Sequence, residues 1–124
     1  MAKNLTVLAV DDDFINLKLL KSMLGKMEEV GEVIEAKNGA DAISVLKERN
    51  DIDMILLDII MPVMGGLEML QVVRADENLK QLPIIVLTTD ETKKTEALEK
   101  GANGFLMKPV RAADVASKIK ELAL

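Results

Sequence analysis

The chain has 124 residues with 16 Lys and Arg against 21 Asp and Glu, a net charge of -5, so it lacks the basic face that nucleic acid requires. It contains no Cys and no His, which removes disulfides, thiol chemistry, the usual zinc ligands and the usual general base. With 49% hydrophobic and 30% charged residues it reads as a single globular domain over 1–124, with neither a signal peptide nor a membrane span, and a reducing cytoplasm is the expected setting.

LTVLAV at 5–10 reads as a strand and ends abruptly in Asp11, Asp12 and Asp13. At about 4 Å and an effective dielectric of ~20, two carboxylates repel by roughly 4 kcal/mol, so a cation, a base or water must offset the crowding. Phe14, Leu17, Leu20, Leu24 and Met27 then recur every three or four positions and predict a helix over 14–27. EVIEA at 32–36 predicts a second strand, Asn38-Gly39 a break, and Ala42, Ile43, Val45 and Leu46 a helix over 39–49. DMILLD at 53–58 predicts a third strand. Gly65-Gly66 precedes a helix over 66–74 carried by Leu67, Leu70 and Val73. PIIVLT at 83–88 predicts the fourth strand. ETKKTEALEK at 91–100 holds good helix formers with few apolar anchors, so a largely solvated helix is expected there. NGFLM at 103–107 predicts the fifth strand, and Ala112, Val115, Ile119 and Leu122 a final helix over 111–123.

Strand and helix alternate five times, which predicts an α/β domain, doubly wound, with a parallel sheet and helices on both faces. The runs at 5–10, 53–58 and 83–88 are nearly continuous in apolar residues, as strands buried on both faces are. In such sheets ligands bind beyond the carboxyl ends of the strands, where the strand order switches.

Polar residues end four of the five strands: Asp11, Asp12 and Asp13 the first, Asp58 the third, Thr88 the fourth and Lys108 the fifth. Taken singly, each has an ordinary explanation. An Asp at a strand end is most often a helix cap, the role expected of Asp13 directly before the first helix. Thr88 alone is a β-branched strand residue, and Lys108 alone a surface charge. Asp58 is harder to dismiss, because MILLDII is apolar on both sides. Jointly they place acids, a hydroxyl and a lysine on one sheet edge. Clustered carboxylates without His or Cys select a hard divalent cation, Mg2+ with Mn2+ as the alternative. A lysine and a hydroxyl beside it suit a phosphoryl group, and a carboxylate nucleophile gives an aspartyl-phosphate.

The motifs VDDD at 10–13, LLDIIMPVMGG at 56–66, PIIVLTT at 83–89 and GANGFLMKPV at 101–110 resemble the receiver domain of two-component response regulators, over essentially the whole chain. The look is similar to single-domain receivers such as the chemotaxis response regulators. The resemblance implies a flavodoxin-like sheet of five strands in the order 2-1-3-4-5 with five helices. It implies that Asp58 is the phosphoacceptor, that Asp12, Asp58 and the backbone carbonyl of Ile60 bind Mg2+, and that Asp11 acts through a water ligand. Thr88 and Lys108 would contact phosphoryl oxygens, and the Lys108-Pro109 bond would be cis. Thr88 and Phe105 would form the switch, repacking the face made by the fourth helix, fifth strand and fifth helix.

The implied function is a phosphorylation-activated module with intrinsic autophosphorylation and autodephosphorylation rather than an enzyme. It would be loaded by a sensor histidine kinase or phosphotransfer protein and signal to a downstream protein, in chemotaxis or as a stand-alone relay, as a monomer or a phosphorylation-dependent dimer. Three positions depart from the family pattern. Gly65 stands where Asp or Asn is frequent, Thr89 where a smaller residue is usual, and Ile60 where fast-hydrolysing members carry a polar side chain. Ile60 is therefore expected to hinder water and lengthen the phosphoryl lifetime.

The alternatives are a haloacid-dehalogenase phosphatase, using the Asp-x-Asp spacing of Asp11 and Asp13, and a flavodoxin-like FMN binder. The first leaves Asp58 without a role. The second would bring a phosphate against DDDFIN, with no Trp or Tyr to stack on a flavin. A receiver excised from a longer regulator is a further alternative.

Overall fold

The structure is a computed structural model describing residues 4–59, 61 and 64–123. The elements run β1 (Leu5–Val10), α1 (Phe14–Gly25), β2 (Val30–Ala36), α2 (Gly39–Glu48), β3 (Met54–Asp58), α3 (Gly66–Ala75), β4 (Ile84–Thr88), a 3-10 turn (Glu91–Lys93), α4 (Lys94–Glu99), β5 (Gly104–Met107) and α5 (Ala112–Ala123). The strands form one parallel sheet in the order β2-β1-β3-β4-β5, as expected from the sequence.

Every residue of β1, β3 and β4 is buried. Alternate side chains feed two cores. On one face Leu8, Val10, Ile55, Leu57 and Ile84 meet Ala42, Ile43 and Leu46 of α2 and Met69, Leu70 and Val73 of α3. On the other, Val7, Ala9, Leu56, Ile85 and Leu87 meet Leu17, Leu20 and Leu24 of α1 and Val115 and Ile119 of α5. A fully buried Leu such as Leu56 or Leu8 contributes about 2–5 kcal/mol against truncation to Ala. Burial on both faces accounts for the unbroken apolar runs.

Local chemistry sets the element ends. The Asp13 carboxylate accepts the Ile15 N–H and caps α1. The Asn38 side-chain oxygen accepts the Asp41 N–H at 2.8 Å and caps α2. β2 begins at Val30, two residues before the run predicted at 32–36, because Leu5 pairs with Val30 and Thr6 with Glu32. Gly31 is the extra residue of that bulge, an irregularity the apolar pattern does not show. The stretch at 91–100 divides into the 3-10 turn and α4. The Asp90 carboxylate caps the turn by accepting the Thr92 N–H at 3.0 Å. Ala97 is buried in α4 while Leu98 stays exposed, which is the solvated helix expected. α4 is followed by Gly101 at φ 110°, a left-handed conformation that favours glycine.

Candidate functional site

Strand register assembles the site. Val10 pairs with Leu57, so Asp11 and Asp58 are the next residues on adjacent central strands. Leu87 pairs with Asp58, and Thr88 pairs with Met107, which puts Thr88 and Lys108 at the same sheet edge. The Lys108 N–H donates to the Thr88 carbonyl at 2.8 Å, and the Lys108-Pro109 bond is cis.

Asp11 is 1% exposed, and each of its oxygens accepts one hydrogen bond. One oxygen accepts the Asp13 N–H at 2.9 Å, and the other accepts from Lys108 Nζ at 2.8 Å. The same Nζ lies 3.1 Å from Asp58 Oδ1. Asp12 faces solvent, yet an oxygen from each of Asp11, Asp12 and Asp58 lies within 4.8 Å of the other two. Thr88 is buried, and its hydroxyl accepts the Asp90 N–H at 3.1 Å. Phe105 is half-buried against Ile59, Val86 and Ala97.

Electrostatics follow from this crowding. Burial pushes the Asp58 carboxyl above its ordinary range; Lys108 pulls it back, and Asp11 and Asp12 push it further up. Burial by itself lowers Lys108, but the hydrogen bonds to Asp11 and Asp58 prevail and hold the ammonium above its usual value. Three ionised carboxylates against one ammonium leave a charge of about -2, which a divalent cation neutralises. The donor set is all oxygen, so it fits Mg2+ or Mn2+ and not a softer metal.

The residues expected at the sheet edge therefore come together, with two qualifications. Asp13 turns away to cap α1, which also takes from the phosphatase alternative one of its two acids. Ile60, named for its carbonyl and for shielding the phosphoryl group, lies outside the described residues. Thr89 is exposed and Gly65 sits at an ordinary φ of -72°. Sequence reasoning assigned Lys108 to a phosphoryl oxygen and missed that it bridges two of the acids. Nothing in GFLMKPV signals which carboxylates its amine reaches.

No helix among the described residues is long and apolar enough to cross a membrane. A family model for the response regulator receiver domain matches residues 7–120. The chemotaxis protein CheY-3 of Vibrio cholerae is 34% identical over 122 residues, covering 97% of this chain and 92% of that protein. A CheY homolog of Campylobacter jejuni is 30% identical over 118 residues, covering 94% and 90%. Among solved structures, Vibrio cholerae CheY4 superposes with a TM-score of 0.85 at 31% identity, covering 96% of this chain and 98% of that one. The receiver domain of a Pseudomonas aeruginosa sensor histidine kinase, with a magnesium ion coordinated in its active site cleft, gives 0.86 at 27% identity, covering 97% and 98%. With the acidic edge, the strand order and these matches in agreement, the chain belongs to the response regulator receiver domain family.

Proposed function

We propose that Asp58 accepts the phosphoryl group through which this receiver switches state, and that Asp11, Asp12 and Asp58 hold Mg2+ beside it. The observation that carries this reading is the convergence of three carboxylates within 4.8 Å of one another on one lysine ammonium, at the carboxyl edge of the sheet. An Asp58 oxygen attacks phosphorus while the bond to the donor's leaving group breaks. Mg2+, when bound, neutralises the carboxylates and the phosphoryl oxygens, so that like charges can approach.

Lys108 releases its pairing with Asp58 as that carboxylate becomes an acyl phosphate and pairs with a phosphoryl oxygen instead. Thr88 donates its hydroxyl to another. The Thr88 and Phe105 side chains then transmit the change to α4, β5 and α5, because the phosphoryl group biases a two-state equilibrium by contacts made in only one state. The donor is a histidine kinase or phosphotransfer protein, the output a protein bound at the α4-β5-α5 face, and the setting the cytoplasm where such donors present their phosphohistidine. Likeness to CheY proteins favours chemotaxis or a stand-alone relay.

The test is intact mass after incubation with acetyl phosphate and Mg2+, alongside Asp58→Asn and a sample in EDTA. A single phosphoryl adduct that requires Mg2+ and disappears in Asp58→Asn is expected. An adduct that persists in Asp58→Asn would refute the assignment.

A further inference from the structure

The backbone that leaves Asp58 returns to α3 past the first residue of α2, and the two approach more closely than side chains allow. Gly39 is buried, and its N–H donates to the Met64 carbonyl at 3.0 Å. A Cβ on Gly39 would lie 2.7 Å from both Met64 O and Met64 Cγ and 2.9 Å from Met64 Cβ. Two of these obstacles belong to the side chain, but the carbonyl is backbone and can yield only if the loop shifts. Two residues after Met64, the Gly66 N–H donates to the carbonyl of Ile59 at 2.8 Å, tying this end of the loop to the residue directly after Asp58. A Cβ on Gly66 would collide with the Asp58 carbonyl oxygen and lie 2.8 Å from Ile59 Cα.

Helix chemistry does not explain Gly39. The positive-φ glycine among the described residues is Gly101, so Gly39 occupies a conformation open to any residue. Within a helix Gly is less favourable than Ala by about 1 kcal/mol. The first N–H groups of a helix lack intrahelical partners. Asn38 takes the one on Asp41, and the one on Gly39 is left for the Met64 carbonyl.

We propose that Gly39 is a positioning residue for the acidic pocket. Its N–H and its missing Cβ clamp the Met64 end of the loop to α2. Through the Gly66–Ile59 hydrogen bond, that clamp fixes the backbone presenting Asp58. The inference rests on reading the pocket as a Mg2+ site.

The experiment is a Mg2+ titration of the folded protein without phosphodonor, followed by amide NMR shifts, with thermal unfolding in EDTA beside it. It compares the unaltered chain with Gly39→Ala and with Gly25→Ala, whose Cβ would meet nothing within 4 Å. Gly39→Ala should raise the Mg2+ concentration at half-effect by about tenfold or more, the range seen when residues supporting metal ligands are lost. Gly25→Ala should leave it unchanged.

A Gly39→Ala protein that unfolds earlier without metal but keeps the original half-effect concentration would make Gly39 merely structural and overturn the proposal. Should Gly39→Ala fail to fold, Asn38→Ala decides. It loosens the first turn of α2 and should raise the half-effect concentration in the same direction, and an unchanged value overturns the proposal. If the unaltered chain shows no response to Mg2+, the metal-site reading itself falls.

Discussion

Replacing Asp58 with Asn should make the metal-free protein more stable at neutral pH, although Asp58 makes an ion pair. Its carboxylate faces two like charges within 4.8 Å, each repelling by roughly 3.5 kcal/mol at an effective dielectric of ~20. Against these stands one attraction, to Lys108 at 3.1 Å, of roughly 5 kcal/mol at the same dielectric. The balance is unfavourable by roughly 2 kcal/mol, and desolvation adds to it with the same sign. Exposure of Asp12 screens its share, so a net gain of about 1 kcal/mol is expected, or a rise of about 2–5 °C in Tm.

The pH dependence has a definite sign. Burial, reinforced by Asp11 and Asp12 and opposed by Lys108, raises the Asp58 pKa in the folded state. A raised carboxyl contributes its stability below the unfolded pKa, and that contribution disappears as pH rises through the folded value. The advantage of Asn is therefore greatest at neutral pH and shrinks as the solution is acidified. Unfolding in EDTA over a pH series measures it, and excess Mg2+ should narrow or reverse the gap by stabilising the unaltered protein more than the variant, which has lost one of three carboxylates. An Asp58→Asn protein less stable than the original in EDTA at neutral pH would refute the charge balance.

Arg74, at the end of α3, donates to the carbonyls of Gly101, Lys80 and Leu82 and to Asn103 Oδ1 at 2.8–2.9 Å, tying the turn after α4 to the connection before β4. Arg74→Met should cost about 2–3 kcal/mol by urea unfolding; a loss below about 0.5 kcal/mol would mean water satisfies those acceptors equally well. Asp13→Ala removes the α1 cap and should cost about 1 kcal/mol without abolishing the phosphoryl adduct, which separates capping from chemistry. Arg49 pairs with Glu32 and Asp51 at the surface and holds both carboxyls below their ordinary range, chiefly through its hydrogen bonds to them. The benefit of that cluster is present above the unfolded carboxylate pKa and fades as pH falls through the lowered values, so Arg49→Gln should lower Tm at neutral pH, less in acid and less in high salt.

The alternation of elements is legible in the residues alone, because burial on both faces writes unbroken apolar runs for β1, β3 and β4, and a one-sided helix writes a three-to-four-residue stripe. The strand ends also mark Asp11, Asp12, Asp58, Thr88 and Lys108, because a polar residue that closes an apolar strand must lie at the sheet edge. The remaining features come from packing. Parallel register set Asp11 beside Asp58 and carried the Lys108 ammonium to both, across 97 residues of sequence in the case of Asp11. The bulge at Gly31, the approach of Gly39 to Met64 and the carbonyls gathered by Arg74 leave no trace in periodicity. They depend on backbone groups, which every residue carries alike, and only the packed chain determines which of them meet.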